Sequence, residues 1–173
     1  MGAGTTGISI FYNHQLIFAS NIRFGSENIT SDIMQAFQLS FNEAERIKTL
    51  YGGLVVTNLD DNELIELSFS DANKEYYNFD RPFISRAELI SVIRPRCEEI
   101  IEEIQISLDK TGFEQLSSKR IVFTGGGSQL PGLYELASEY FGSRIRIGRP
   151  MRVQGLPQAL QGSQFSAIIG LAI

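Results

Sequence analysis

The 173-residue sequence predicts an α/β fold carrying an inserted α+β unit, and three features support that prediction. Apolar and polar residues alternate over 7–24, the mark of strands packed on one face. An apolar stripe at three-to-four-residue spacing runs from Leu89 to Leu108, which requires a long amphipathic helix. Finally, "RIVFTGGGSQLPGL" joins a run of buried-strand type to a glycine loop and a helix start.

In chain order, "MGAGTT" is a turn feeding a strand, with Ile8, Ile10 and Tyr12 on one side of it. A polar Asn13-His14-Gln15 turn and "LIFASNIRF" follow, and the segment accommodates a meander of three short strands. In "NITSDIMQAF" Ile29, Ile33 and Phe37 stand at helical spacing, with Thr30 or Ser31 placed to cap the first turn. Ser40 and Glu43 form a capping-box pattern in "SFNE", opening a helix that stops at Gly52-Gly53. "LVVTNL" and "ELIELSF", separated by Asp60-Asp61-Asn62, predict a hairpin, whereas "YYNFDRPF" gives no clear signal.

Ser85 and Glu88 make a second capping box ahead of the long helix, whose stripe is Leu89, Ile93, Cys97, Ile100, Ile104 and Leu108. Pro95 lies inside it and predicts a bend near Ser91, since proline has no N–H for the carbonyl four residues back. Gly112 ends it. After the glycine loop, Pro131 falls near the first turn of a helix continued by "YELASEYFG". "RIRIGRP" is a strand closed by Pro150, and "QFSAIIGLAI" is a final helix.

The balance of charge narrows the function classes. A net charge of -5 disfavours a sequence-independent nucleic-acid binder, which needs Lys and Arg to displace phosphate counterions. With one cysteine, Cys97, and one histidine, His14, neither an internal disulfide nor a structural zinc site is available, so a reducing cytoplasm is the expected compartment. "SAIIGLAI" is far shorter than the roughly 20 residues of a membrane span. No signal peptide is read at the amino end.

Two glycine loops are candidate phosphate or nucleotide contacts. In Gly2-Ala3-Gly4-Thr5-Thr6 the missing Cβ atoms let backbone amides approach an anion and two hydroxyls add donors, but a plain hairpin turn has the same composition. Thr124-Gly125-Gly126-Gly127-Ser128 sits between a strand and a helix, where amides and the helix dipole favour phosphate or the polar edge of a nucleotide. It is neither a dinucleotide fingerprint nor a P-loop, and tight helix–strand packing accounts for it equally well. Glu45 and Lys48 read as an exposed i,i+3 ion pair. Arg94 and Arg96 flank Pro95, close to Arg86 and Arg81, as either a solvated patch or a seat for an acidic peptide. No nucleophile–base pair and no metal cluster is legible, and His14 has no catalytic partner.

Together these stretches resemble the actin-like ATPase superfamily (a ribonuclease H-like fold), and within it the second half of the FtsA family of bacterial cell-division proteins. The resemblance rests on "MGAGTT", "EAERIKTLYG", "VIRPRCEEI", "VFTGGGSQLPGL" and "IRIGRP" followed by "GLPQALQGSQFSAIIGL", spread over the whole chain. It implies a discontinuous nucleotide-binding subdomain 2A over 1–38 and 119–173, with a mixed sheet, and an inserted partner-binding subdomain 2B over 39–118.

It further implies ATP with Mg2+ held between two halves. Gly2, Gly4, Thr5 and Thr6 would lie at the phosphates, Glu45 and Lys48 at the ribose and adenine, and Gly125, Gly126, Gly127 and Ser128 at the adenosine. Arg86, Arg94 and Arg96 would take the C-terminal tail of the tubulin-like division protein FtsZ. Proteins of this family self-associate into filaments, meet other division proteins at the septum, and reach the inner face of the cell membrane through an amphipathic C-terminal helix.

In the family an aspartate-ending strand precedes the first of these loops, so the sequence is expected to start mid-motif. The chain is therefore expected to bind ATP weakly, if at all, and not to hydrolyse it. A sugar- or acetate-kinase-like phosphotransferase, or a shape- or pilus-assembly actin homologue, are the alternatives.

Overall fold

The computed structural model describes residues 1–57, 59–60, 62–68, 82–112, 120–142, 144–150, 155 and 157–172. In chain order the elements are β1 (Thr6–Tyr12), β2 (Gln15–Ile22), α1 (Ser26–Phe37), α2 (Phe41–Tyr51), β3 (Leu64–Glu66), β4 (Phe83–Ser85), α3 (Arg86–Asp109), β5 (Ile121–Phe123), α4 (Leu133–Phe141), β6 (Ile145–Ile147) and α5 (Ser166–Ala172). The α/β class is as expected. Parallel and antiparallel pairing both occur, but in separate two-stranded sheets: β1-β2, β3-β4 and β5-β6. Two compact units emerge, one comprising Met1–Ser26, Glu99–Gln129 and Leu133–Ile173, the other Glu27–Glu98 and Leu130–Gly132.

In the first unit, β1 and β2 are antiparallel and joined through Asn13 and His14, both in the left-handed region (φ 47° and 65°). Two successive positive φ values match the right-handed twist of the strands, which is why a polar pair sits there. The meander has two strands and not three: β2 runs unbroken for 8 residues, and Arg23 and Phe24 do not extend it. A bulge between Ile10 and Phe11 interrupts the alternation, so Ile8 is buried while Tyr12 is exposed. At the carboxyl end β5 and β6 pair in parallel across α4, a strand–helix–strand unit of the kind the sequence predicts.

The second unit holds α1, α2, the β3-β4 pair and the first half of α3. Helix α1 starts at Ser26, so Thr30 lies inside the helix and caps nothing; Ile29 and Ile33 are buried as the spacing requires. At α2, Ser40 accepts from the Glu43 amide at 3.3 Å, but the Glu43 carboxylate does not return the bond. It accepts instead from Arg46 (2.8 and 2.7 Å) and from the Ser68 amide (2.7 Å), fastening α2 to the chain beyond β3. The helix ends where the paired glycines predict, with the Gly52 amide on Lys48 O at 3.0 Å.

The hairpin is a correction. β3 pairs with β4 in the register Leu64↔Ser85, and residues 54–57 form no strand. The Leu54 amide donates to Pro131 O at 2.9 Å while Val55 and Val56 stay exposed, so this segment spends its backbone on a loop. Most of "YYNFDRPF", with Arg81, lies outside the described residues.

The Ser85–Glu88 capping box is reciprocal: the Glu88 amide donates to Ser85 Oγ at 3.2 Å and the Ser85 amide to Glu88 Oε2 at 2.8 Å. From there α3 runs 24 residues through Pro95. Pro95 and Ser91 are both exposed, so water can serve the carbonyl that the ring leaves without a donor. Leu89, Ile93, Cys97 and Ile100 are wholly buried and Ile104 nearly so, while Leu108 is half-buried. Ile90 and Ile101 are wholly buried too, which makes the apolar face wider than the predicted stripe.

Burial, reinforced by the charge of Glu98 and countered by Lys48, pushes the Cys97 thiol up to about 12. The thiolate is the reactive species, so Cys97 of the native protein is expected to react with a disulfide reagent at pH 8 at least about a hundredfold more slowly than in denaturant. Equal labelling rates would show that the stripe opens freely.

Candidate functional site

Helices α1 and α2 bring three polar side chains of the second unit into mutual contact. Lys48 Nζ lies 2.6 Å from Glu45 Oε2 and 2.7 Å from Thr30 Oγ1, and Thr30 Oγ1 lies 2.6 Å from the same Glu45 oxygen. An ammonium can only donate, so Thr30 accepts from Lys48 and must turn its own proton to Glu45.

Thr30 is wholly buried and Lys48 only 9% exposed, whereas Glu45 is 42% exposed. The pair is therefore not the solvated surface bridge that spacing alone suggests. Burial pushes the Glu45 carboxyl up, but hydrogen bonds from Lys48 and Thr30 and the charge of Lys48 outweigh it and hold the group below the usual carboxylate range. Both bonds fall on Oε2, and Oε1 has no partner among the described residues.

The first unit presents both glycine loops. In the first, the Gly2 amide closes on Thr5 O (2.9 Å), and Gly2 O accepts from Ser26 (2.9 Å), while Ala3, Gly4 and Thr5 are exposed. Thr6 is different: it is buried, and its hydroxyl donates to Phe24 O at 2.8 Å, holding the loop to the chain after β2.

In the second loop Gly126–Gln129 form a short 3-10 turn, and α4 begins only at Leu133, beyond Pro131. The amides of Gly125, Gly127 and Ser128 are committed to Ser163 O (3.1 Å), Met1 O (3.2 Å) and Gly125 O (3.1 Å). Buried Ser128 gives its hydroxyl to Gly125 O at 2.7 Å. With those donors used, the loop suits a flat ring better than an anion. Gly126 is exposed, and among the described residues a Cβ there would meet only Gln164 Cβ, at 3.8 Å. Gly125 has φ +91°, and a Cβ would stand 2.3 Å from Met1 O, so no other residue fits.

The three arginines of the expected basic patch are all bonded within the second unit. Arg86 reaches Asp60 Oδ1 (2.6 Å) and Tyr51 O (3.0 Å). Arg96 makes a two-pronged bond to Asp32 (2.6 and 2.9 Å). Arg94 contacts Glu98 (2.7 Å) and Leu54 O (3.2 Å), and at 39% it is the most exposed of the three.

Sequence reading missed Thr30, Asp32, Glu43 and Asp60 as organising residues. Asp32 and Arg96 stand 64 positions apart, and no local spacing rule reaches that far. The Glu43–Arg46 bond did have a local signal, an i,i+3 acid–base pair.

The family model for cell division protein FtsA matches residues 1–170. The chain is 37% identical to the FtsA of Agrobacterium fabrum, aligned over 100% of this chain and 38% of that protein. It is 32% identical to the FtsA of Pseudomonas aeruginosa over 99% of this chain and 40% of that protein. It thus spans well under half the length of these relatives.

Among solved structures, the MreB5 of Spiroplasma citri bound to ADP superposes with a TM-score of 0.73 at 17% identity, covering 99% of this chain and 50% of that one. A chain of the PilM-PilN type IV pilus biogenesis complex gives 0.68 at 22%, covering 99% and 43%. Such identities establish the shared actin-like fold and nothing finer.

Proposed function

This chain belongs to the FtsA family of cell-division proteins, and from that premise we propose that it supplies adenine-nucleotide contacts to a filament-forming division protein that anchors FtsZ at the membrane. The observation that carries the reading is the Glu45–Lys48 pair. A buried cation holds one carboxylate oxygen, and the other oxygen is left for a ligand hydroxyl such as those of a ribose.

The residues fit the group. Within the second unit, taken by itself, Glu45 can accept from a ribose hydroxyl; within the first, Gly126 offers an open surface to a ring and the exposed turn Ala3-Gly4-Thr5 offers approach to phosphate oxygens. Bound Mg2+ would neutralise phosphate charge. Thr6 would support that turn from below and not donate to the phosphates, because Phe24 O takes its hydroxyl. The same fold in Spiroplasma citri MreB5 has been solved with AMPPNP and with ADP, which favours a nucleotide over other ligands.

The contacts named here are few, so the affinity of the chain itself is expected to be weak, with Kd of about 1 mM or above. Titrating the 15N-labelled chain with Mg-ATP and Mg-GTP tests the proposal. The amides of Glu45, Lys48 and Gly126 should shift with ATP and less with GTP. No shift at these residues by 10-fold above about 1 mM would overturn nucleotide binding. Capture of the acidic FtsZ tail, the partner part of the proposal, falls to Arg94 among the three arginines, since it is the most exposed of them.

A further inference from the structure

We propose that Thr30, on a helix the sequence gives no ligand role, is the positioning residue that fixes the Glu45–Lys48 pair in its ligand-accepting geometry. The inference rests on the nucleotide reading for the identity of the ligand, but not for the arrangement itself. The three polar atoms form a closed triangle with sides of 2.6, 2.7 and 2.6 Å. Thr30 is wholly buried, so its hydroxyl has no water to fall back on.

Its role follows from donor chemistry. Lys48 carries only donors and Glu45, when ionised, only acceptors, so the two could pair in many rotamers. A hydroxyl does both at once. Accepting from Nζ and donating to Oε2, it removes the freedom of the long Lys48 stem and confines both bonds to one carboxylate oxygen, which keeps Oε1 for a ligand. Without it, Lys48 could bridge both oxygens and close the acceptor.

Three variants of the chain test this: Thr30→Val, which keeps the shape and loses the hydroxyl, Thr30→Ser, which keeps the hydroxyl, and Thr30→Ala. The first readout is the Glu45 side-chain carboxyl followed by 13C NMR against pH with no ligand present. Loss of a donor to the charged form should raise its pKa in Thr30→Val and Thr30→Ala, and Thr30→Ser should restore the wild-type titration. The second readout is the Mg-ATP titration, in which Thr30→Val should bind about five- to tenfold more weakly and Thr30→Ser within about twofold of wild type. Thermal midpoints of each variant separate loss of fold from loss of position.

An unchanged Glu45 titration in folded Thr30→Val would overturn the positioning role. A changed titration with unchanged ATP affinity would also overturn it, by showing that the geometry does not serve the ligand. Should the wild-type chain show no ATP response, the nucleotide reading fails by itself, and the carboxyl titration alone decides whether Thr30 orders the pair.

Discussion

Replacing Gly25 with alanine is expected to lower the thermal midpoint of the chain by about 5–10 °C and to displace the Gly2–Thr5 turn. Gly25 is buried, and a Cβ built on it would stand 2.1 Å from Ala3 O and 2.7 Å from both Ala3 C and Thr5 N. All three are backbone atoms, so no side chain can swing aside. Relief must come from moving the peptide itself, against the Gly2–Thr5 and Ser26–Gly2 hydrogen bonds (each 2.9 Å) that hold the turn. Overpacking of this kind costs about 1–3 kcal/mol, and more where the neighbour is rigid.

The matched control is Gly7→Ala on β1, where no described residue other than its chain neighbours comes within 4 Å of the added Cβ. There the midpoint should hold or rise slightly, because alanine narrows the unfolded ensemble. Differential scanning calorimetry of both variants decides the matter. Equal midpoints would mean that the turn is soft and Gly25 is not its seat. With the Gly25 variant, the amide shifts of Ala3 to Thr5 should change even at temperatures where the chain stays folded.

The parts of the fold that were legible are those governed by residues three or four apart. The Ser85–Glu88 box, the α2 stop at Gly52 and the buried stripe from Leu89 to Ile104 each follow from one turn of helix. What spacing could not supply is pairing across the chain. The β3-β4 pair joins Leu64 to Ser85, and the nearer run at 54–57 was diverted because Leu54 bonds to Pro131 O instead. Position 43 carries the right residue for a capping box, but its carboxylate is drawn away by Arg46, a charged donor that binds it more strongly than a backbone amide does, and the Ser68 amide adds a further bond on that side.

The candidate site divides in the same way. Glycine content marked both loops, and resemblance marked Glu45 and Lys48. Their burial, and with it the difference between a surface ion pair and an ordered acceptor, depends on Thr30 from another helix. That residue reads in the sequence as a helix cap.

The second large effect concerns the arginines, where structure separates a scaffold residue from a candidate contact. Arg86→Ala is expected to lower the midpoint by about 10 °C, whereas Arg94→Glu should leave it within about 2 °C. Arg86 holds Asp60, which is 1% exposed, and also caps Tyr51 O, so truncation leaves a buried carboxylate with no charged partner beside the Thr57 amide (2.5 Å) and hydroxyl. That amide first, against the opposing effect of burial, then the Thr57 hydroxyl and Arg86, hold the Asp60 carboxyl below its ordinary range.

A depressed folded pKa means that the stabilisation is present at neutral pH and is lost as pH falls through the folded value. The gap between wild type and Arg86→Ala should therefore narrow in acid, and adding Asp60→Asn to Arg86→Ala should recover part of the midpoint at neutral pH. Arg96→Glu is not a clean probe either, because it would set a carboxylate against Asp32. Arg94→Glu sets a carboxylate beside Glu98, but that i,i+4 neighbour is a third exposed and the repulsion is worth only a few tenths of a kcal/mol, so it is the cleaner probe, with Arg146→Glu, exposed and on β6, as its control. If the FtsZ tail is captured here, its C-terminal peptide should bind Arg94→Glu at least about tenfold more weakly at low salt, with Arg146→Glu near wild type. Equal binding by both would remove this face from the partner-binding proposal, and a large loss of stability in Arg94→Glu would place Arg94 with Arg86 in the scaffold.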